Sequence, residues 1–481
     1  MNVVDAVQGL GVRLLSVGCR IDVATTVEYQ TITSLQKNAE IIAKFGERRQ
    51  DEGQSARSSN RFEIFSTSTE SRTANPVGSA EFPANDNNKG PVHGAIVPCR
   101  PPPPDEGLRD WDRPSRSDHA WTMASLFDPV SFAHGPSMPN SFMLAPLTNQ
   151  QSHADGTLSD EEHHWLTMRA RGGFGLTMTC AAHVAKTGQG FAGQLGCFDD
   201  RHLPGLTRLA SDIKAQGSLA IVQLHHAGNR SPKDLIGQAP VCPSDDPSTG
   251  ARALTADEVE GVIEDFIAAA QRSEAAGFDG VELHGAHGYL LCQFLSSELN
   301  QRTDQYGGSL ENRARPIMQI VQGIRQRCRP DFNVSVRLSP ERFGLRTAEI
   351  IDVFSWLIAT GDVDFIDLSL WDVRKEAADE EMSGRGLLEI FADLYRGRTK
   401  LAAAGKIYGA ADAQWVLDQG ADMAVIGRGA ILHHDFPHQV EANQNFTMRA
   451  LPVTREQLRA EGLSESFVGY MKNWPGFVAD D

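Results

Sequence analysis

Eight short apolar segments, each followed by an amphipathic stretch, predict an α/β protein built as a (β/α)8 TIM barrel. Two observations support that class over an open doubly wound sheet. The run from Met123 to Asp481 is long enough for one such barrel, which takes roughly 200 to 400 residues. Polar residues able to do chemistry also recur at the C-terminal ends of the predicted strands, where barrels of this kind place their sites.

The predicted strands, in order, are SFMLAP (141–146), GLTMTCA (175–181), LAIVQLH (219–225), GVELHGA (280–286), NVSVRLS (333–339), FIDLSLW (365–371), KIYGA (406–410) and MAVIGRG (423–429). Between them, LPGLTRLASDIKAQG, LTADEVEGVIEDFIAAAQRSEAAG, RPIMQIVQGIRQRC, TAEIIDVFSWLIATG and DAQWVLDQG carry helical spacing. Thr255 and Glu258 form a capping-box pattern at the start of the longest helix, and Gly277 is its stop signal.

Residues 1–122 differ in texture, being polar and poor in aliphatics with a polyproline piece, CRPPPPDEG. They read as a low-complexity, mostly disordered extension, with at most a marginal helix within 1–46. The expected organisation is therefore this extension, a barrel over 123–450 and a helical tail over 451–481 packed on or near it. Met123 is a candidate start for the working protein.

Composition narrows the partners. The chain is 41% hydrophobic and 22% charged, as globular proteins are, and its formal net charge of −17 lacks the basic footprint of a nucleic-acid binder. No run of 18 apolar residues suggests a membrane span, so a cytoplasmic enzyme acting on a small molecule is expected, as a monomer or homo-oligomer. The seven cysteines are scattered with no C-x-x-C pair, which argues against structural zinc, an iron–sulfur cluster or a disulfide frame.

Walking the strand ends brings Thr148, Ala181, Gln223, His225, His284, His287, Tyr289, Arg337, Gly409, Gly427 and Arg428 to one mouth. The loops after the last two strands often bind phosphate through backbone N–H groups, with glycine allowing close approach and Arg428 able to make a bidentate contact. For His284 and His287 three readings stand side by side: metal ligands, hydrogen-bond donors to a substrate, or satisfied structural residues. A barrel metallohydrolase would also want H-x-H on strand 1 and a carboxylate ending strand 8, where this chain has FMLAP and VIGRG. DEEHHW (160–165) and HHDFPH (433–438) read as solvated polar faces, so no metal site is predicted. GQGFAG (188–193) matches G-x-G-x-x-G but precedes a loop, so a flexible βα loop is expected there and no dinucleotide domain. The charged WDVRKEAADEEMSGRG after strand 6 reads as a mobile lid or an ordinary solvated loop.

The run HGAHGYLLCQFLSSELNQRTDQYGGSLENRARP, together with APLT on strand 1, VQLHHAG on strand 3, VSVRLS on strand 5 and AVIGRGAI on strand 8, resembles the Old Yellow Enzyme family of FMN-dependent oxidoreductases over about residues 123–440. The resemblance implies an FMN in the barrel mouth, held by Ala145, Pro146, Leu147, Thr148, Ala181, Gln223, Arg337, Gly409, Gly427 and Arg428. Thr148 would meet the flavin C4 carbonyl, Gln223 the pyrimidine edge, and Arg337 the N1/C2 region. It further implies NAD(P)H as hydride donor, His284 and His287 as donors to a substrate carbonyl, and Tyr289 as proton donor, since a phenol, with a pKa of about 10, keeps its proton at neutral pH. The implied activity is ping-pong reduction of an electron-poor alkene. A metal-dependent barrel hydrolase, or a flavin barrel with another acceptor, is the alternative. Ser297 stands where the family usually has proline, Asn149 where arginine is frequent, and His225 where some branches place tryptophan, so substrate preference is not implied.

Overall fold

The structure is a computed structural model that describes residues 124–479. The expectations for residues 1–122, and for a start at Met123, lie outside the described residues.

Eight parallel strands close into a barrel: β1 (Phe142–Leu144), β2 (Leu176–His183), β3 (Leu219–His225), β4 (Gly280–Gly285), β5 (Asn333–Leu338), β6 (Phe365–Ser369), β7 (Lys400–Ala404) and β8 (Met423–Ile426). Each pairs with its sequence neighbours, and β1 closes on β8. The helices that follow the strands are α1 (Asp160–Arg171), α2 (Leu203–Lys214), α3 (Ala256–Ala275), α4 (Leu310–Arg327), α5 (Thr347–Ala359), α6 (Leu387–Ala392), α7 (Ala410–Asp418) and α8 (Arg428–Leu432). The expected fold is therefore present.

Strand alternation sorts the side chains into two environments. On β4, Val281 and Leu283 join the apolar layer under the helices, which leaves Glu282 and His284 to the barrel interior. On β5, Val334, Val336 and Leu338 face that layer and Ser335 and Arg337 the interior. On β3, Leu219 and Ile221 fill the interior near its N-terminal end, where Val130, Phe132 and Met138 from a segment ahead of β1 pack beneath them. The barrel is thus plugged with hydrocarbon at its N-terminal end and lined with polar groups at its C-terminal end.

Two local features decide what reaches the mouth. The β2–β3 register shifts between Met178 and Ala181, and this bulge brings Ala181 level with Gln223 on the interior face. The capping box of α3 forms as predicted: Thr255 Oγ1 accepts from the Glu258 backbone N–H at 3.2 Å while Glu258 Oε2 accepts from the Thr255 backbone N–H at 2.8 Å.

Strand 7 corrects the sequence reading. It is KLAAA (400–404), not KIYGA (406–410). Alanine favours helix in isolation, yet an all-small run fits the crowded barrel wall, and Gly405 and Lys406, both at positive φ, end the strand. The other seven predicted strands overlap the observed ones.

Candidate active site

A cavity of about 310 Å³ opens at the C-terminal ends of the strands, at the lower end of the size range of small-molecule sites. Thr148 after β1, Gln223 on β3, His284 on β4 and Arg337 on β5 reach it from the wall, and Tyr289 and Arg428 from the loops and helix beyond.

His284 and His287 do come together, and they are joined to further groups. His225 Nδ1 lies 2.8 Å from His284 Nδ1, His284 Nε2 2.9 Å from His287 Nδ1, and His287 Nε2 2.6 Å from Ser369 Oγ. The result is one hydrogen-bonded line across β3, β4, the loop after β4 and β6. His287 is held at φ 62°, a left-handed conformation that costs energy in a residue with a Cβ, and its backbone N–H donates to Ser339 Oγ at 3.0 Å. Burial pushes all three imidazoles well below the ordinary histidine value; neighbouring histidines, Arg337 and Arg230 add to the effect. The line is neutral at physiological pH.

Tyr289 packs edge-on to His225 with ring centroids 4.4 Å apart, and the Arg230 guanidinium lies 4.6 Å from its ring centroid. Arg230 also donates to the His287 backbone carbonyl at 2.7 Å. The phenol is thereby fixed beside the imidazole line, at the N-terminus of the short helix Leu290–Leu295.

Below the cavity is a buried charged layer. Arg337 Nε and Asp367 Oδ2 are 2.9 Å apart, an ion pair by distance, although the angle between them falls short of a good hydrogen bond. Gln223 Nε2 donates to Glu282 Oε1 at 2.8 Å, while Glu282 Oε2 has no partner among the described residues. Burial, reinforced by the charge of Asp367, pushes the Glu282 carboxyl up to about 8. That shift favours the neutral, protonated form of Glu282, and the layer presents the positive end of Arg337 to the cavity.

This donor set suits a flat heterocycle that is polar at one edge and apolar at the other. Arg337, Gln223 and Thr148 supply polar contacts, and Leu147, Phe191 and Ile431 supply apolar walls. Pro146, Ala181 and Arg428 line the same space, whereas Ala145, Gly409 and Gly427 do not. A Cβ on Gly409 would stand 2.4 Å from the Phe446 carbonyl oxygen, so packing of a neighbouring segment demands glycine there. A Cβ on Gly427 would make only ordinary contacts, 3.8 Å from Ala145 Cβ and Leu147 Cδ2. Arg428 Nη1 donates to the Tyr408 hydroxyl at 2.9 Å.

Several lining residues had no sequence signal. Tyr470, Met471, Trp474 and Phe477 come from the tail, whose helices Arg455–Ala460 and Glu465–Met471 follow the barrel. Burial raises the Tyr470 phenol, partly offset by Thr148 beside it. Phe191 comes from the GQGFAG segment, which is packed rather than free: Cβ atoms at Gly188 and Gly193 would stand 2.6 Å from His226 and from the Gln150 carbonyl oxygen. The charged segment after β6 is also tied down, with Lys375 paired to Glu341, whose other oxygen accepts from Ala378 N at 3.0 Å. In DEEHHW, Glu162 is buried and bonded to Asn149 and Ser152. In HHDFPH, His434 bonds Glu461 at 2.7 Å. No three potential metal ligands converge among the described residues.

Residues 125–446 match the model of the NADH:flavin oxidoreductase / NADH oxidase family. A Bacillus subtilis (strain 168) protein named "Probable NADH-dependent flavin oxidoreductase YqiG" is 36% identical over 326 residues, 66% of this chain and 87% of the relative. The NADH:fumarate oxidoreductase of Klebsiella pneumoniae (strain 342) is 32% identical over 349 residues, 69% of this chain but only 38% of that longer protein. Among solved structures, the Old Yellow Enzyme homologue from Zymomonas mobilis aligns with TM-score 0.62 and 26% identity, covering 71% of this chain and 99% of that one. Morphinone reductase in complex with tetrahydroNAD aligns with TM-score 0.60 and 28% identity, covering 74% and 98%.

Proposed function

The chain belongs to the NADH:flavin oxidoreductase / NADH oxidase family, and from that premise we propose that it reduces the activated C=C bond of an α,β-unsaturated carbonyl or related electron-poor compound. It is an NAD(P)H:flavin oxidoreductase with FMN as cofactor. Arg337, Gln223 and Thr148, which line the cavity, would hold the polar edge of the flavin and Arg428 its phosphate. When bound, FMN would supply the two-electron, hydride-transfer chemistry that links NAD(P)H to the β-carbon of the acceptor, and both half-reactions would share one cavity in a ping-pong cycle.

The remaining work falls to side chains. His284 and His287 hold the acceptor's carbonyl oxygen, where negative charge grows as the double bond is reduced; donors already in place, shielded from water, lower that barrier. Tyr289 carries a proton on its phenol oxygen and passes it to the α-carbon, completing addition of hydride and proton across the bond. The observation that carries this reading is the convergence of His284, His287 and Tyr289 with Arg337 and Gln223 in one cavity.

The test is anaerobic. NADH or NADPH should bleach the flavin absorbance, and enones, maleimides or nitroalkenes should restore it, with parallel lines in steady-state double-reciprocal plots. Flavin that is bleached by nicotinamide but reoxidised only by dioxygen would show that the acceptor is not an alkene.

A further inference from the structure

Two imidazoles can both donate to one oxygen only if each carries its proton on the nitrogen facing that oxygen. A neutral imidazole has one N–H, and its position is set by what the other nitrogen meets. For His284 the nitrogen nearest His287 is Nε2, so Nδ1 must be the unprotonated one and must accept a hydrogen bond. The only partner of His284 Nδ1 among the described residues is His225 Nδ1, at 2.8 Å.

His225 is suited to be that donor. It is buried at 1% exposure, and its Nε2 has no hydrogen-bond partner among the described residues. A Cβ built on Gly190 would lie 3.4 Å from that Nε2 and 3.6 Å from Gln194 Oε1, an oxygen that already accepts the Gly190 backbone N–H at 2.7 Å. Orphaned buried N–H groups are rarer than orphaned acceptors, which places the ring's proton on Nδ1, pointing at His284. At the other end of the line His287 Nε2 meets Ser369 Oγ, a hydroxyl that can donate or accept. Ser369 therefore lets His287 move its proton to Nδ1 when an oxygen arrives, whereas His225 holds His284 in one form throughout.

We propose that His225 is a positioning residue for the reaction: by donating its Nδ1–H to His284 Nδ1, it keeps His284 Nε2 protonated and aimed at the acceptor oxygen. The inference rests on the alkene-reductase reading for its purpose but not for its proton placement. Because burial keeps these rings uncharged, an imidazolium cannot supply the second N–H, and tautomer becomes the variable that matters.

Long-range ¹H–¹⁵N correlation spectra of the full-length FMN-loaded protein, labelled with ¹⁵N-histidine, should show His225 as the Nδ1–H form and His284 as the Nε2–H form. His225→Leu should shift His284 toward Nδ1–H and slow alkene-dependent flavin reoxidation about 10- to 100-fold, the scale on which partners that orient a histidine act. His225→Asn, whose amide nitrogen can take the place of Nδ1, should recover most of that loss. Spectra showing His225 as the Nε2–H form overturn the proposal without any variant, even if the leucine protein fails to fold. So do leucine and asparagine variants that retain flavin and reoxidise at equal rates. Failure of the unsubstituted protein to reduce any alkene would sink the functional reading and leave the tautomer assignment standing.

Discussion

Tyr289 gains its position from three neighbours, the rings of His225 and His284 and the guanidinium of Arg230, none of which occupies its hydroxyl. Tyr289→Phe keeps the packing and removes only the transferable proton. Flavin reduction by NAD(P)H should be unchanged, and enone-dependent reoxidation should fall by about 10²-fold or more, the contribution usual for a positioned acid; equal reoxidation rates in stopped flow would remove Tyr289 from the mechanism. Glu282 supplies a second residue-level prediction. An unfolded glutamate titrates near 4.5 and this one near 8, so between those values the folded chain holds a proton that the unfolded chain has released. Its contribution to stability is complete below about pH 4.5 and is lost as pH rises through 8. Glu282→Gln has no such proton, so its urea midpoint should fall less between pH 5 and pH 8 than that of the unsubstituted protein.

At the scale of elements, the short helix α8 that carries Arg428 is anchored from behind by α1. Arg169 Nε and Nη2 donate to the Ala430 carbonyl at 3.2 and 3.1 Å, Nη1 donates to the Trp165 carbonyl, and the guanidinium stacks 4.1 Å from the Trp165 ring centroid. Burial pushes this arginine down to about 9, which still leaves it charged at neutral pH. Arg169→Met strips Ala430 of its donors and should lower unfolding free energy by about 2 kcal/mol. It should also speed FMN release, read by flavin fluorescence after dilution; unchanged release would mean that α8 is set by other contacts. The same elements show what could be read in advance. His284 and His287 were legible because an alternating apolar strand carries the first near its end and the loop just beyond it carries the second, and α3 because its cap and stop are local signals. β7 was not, since an alanine run carries no period. The pairing of His225 with His284 was not either, since it depends on register between strands 59 residues apart.

At the scale of the whole molecule, the barrel works as a container closed at one end. Val130, Phe132 and Met138 seal the N-terminal mouth with hydrocarbon, and the tail borders the other. Phe467 packs against Trp165 with centroids 5.4 Å apart, and Tyr470, Met471 and Trp474 reach the cavity from the same helix and its end. Deleting residues 464–481 should expose Trp165 and part of the cavity, lower the melting temperature and weaken FMN retention severalfold in equilibrium dialysis. Retention equal to the full chain would show that the tail only borders the site. The eight-strand plan and the polar strand ends were legible because barrels repeat one local unit. The tail's share was not, because nothing in its amphipathic pattern says which mouth it meets.

Trp474 is 39% exposed and yet lines the cavity. An indole in that place emits where oxidised isoalloxazine absorbs, so its light should be drained by resonance transfer whenever the cavity is loaded. The protein thus carries its own optical gauge of occupancy, read as the difference between the unsubstituted protein and a Trp474→Phe protein, which keeps the chain's six other tryptophans.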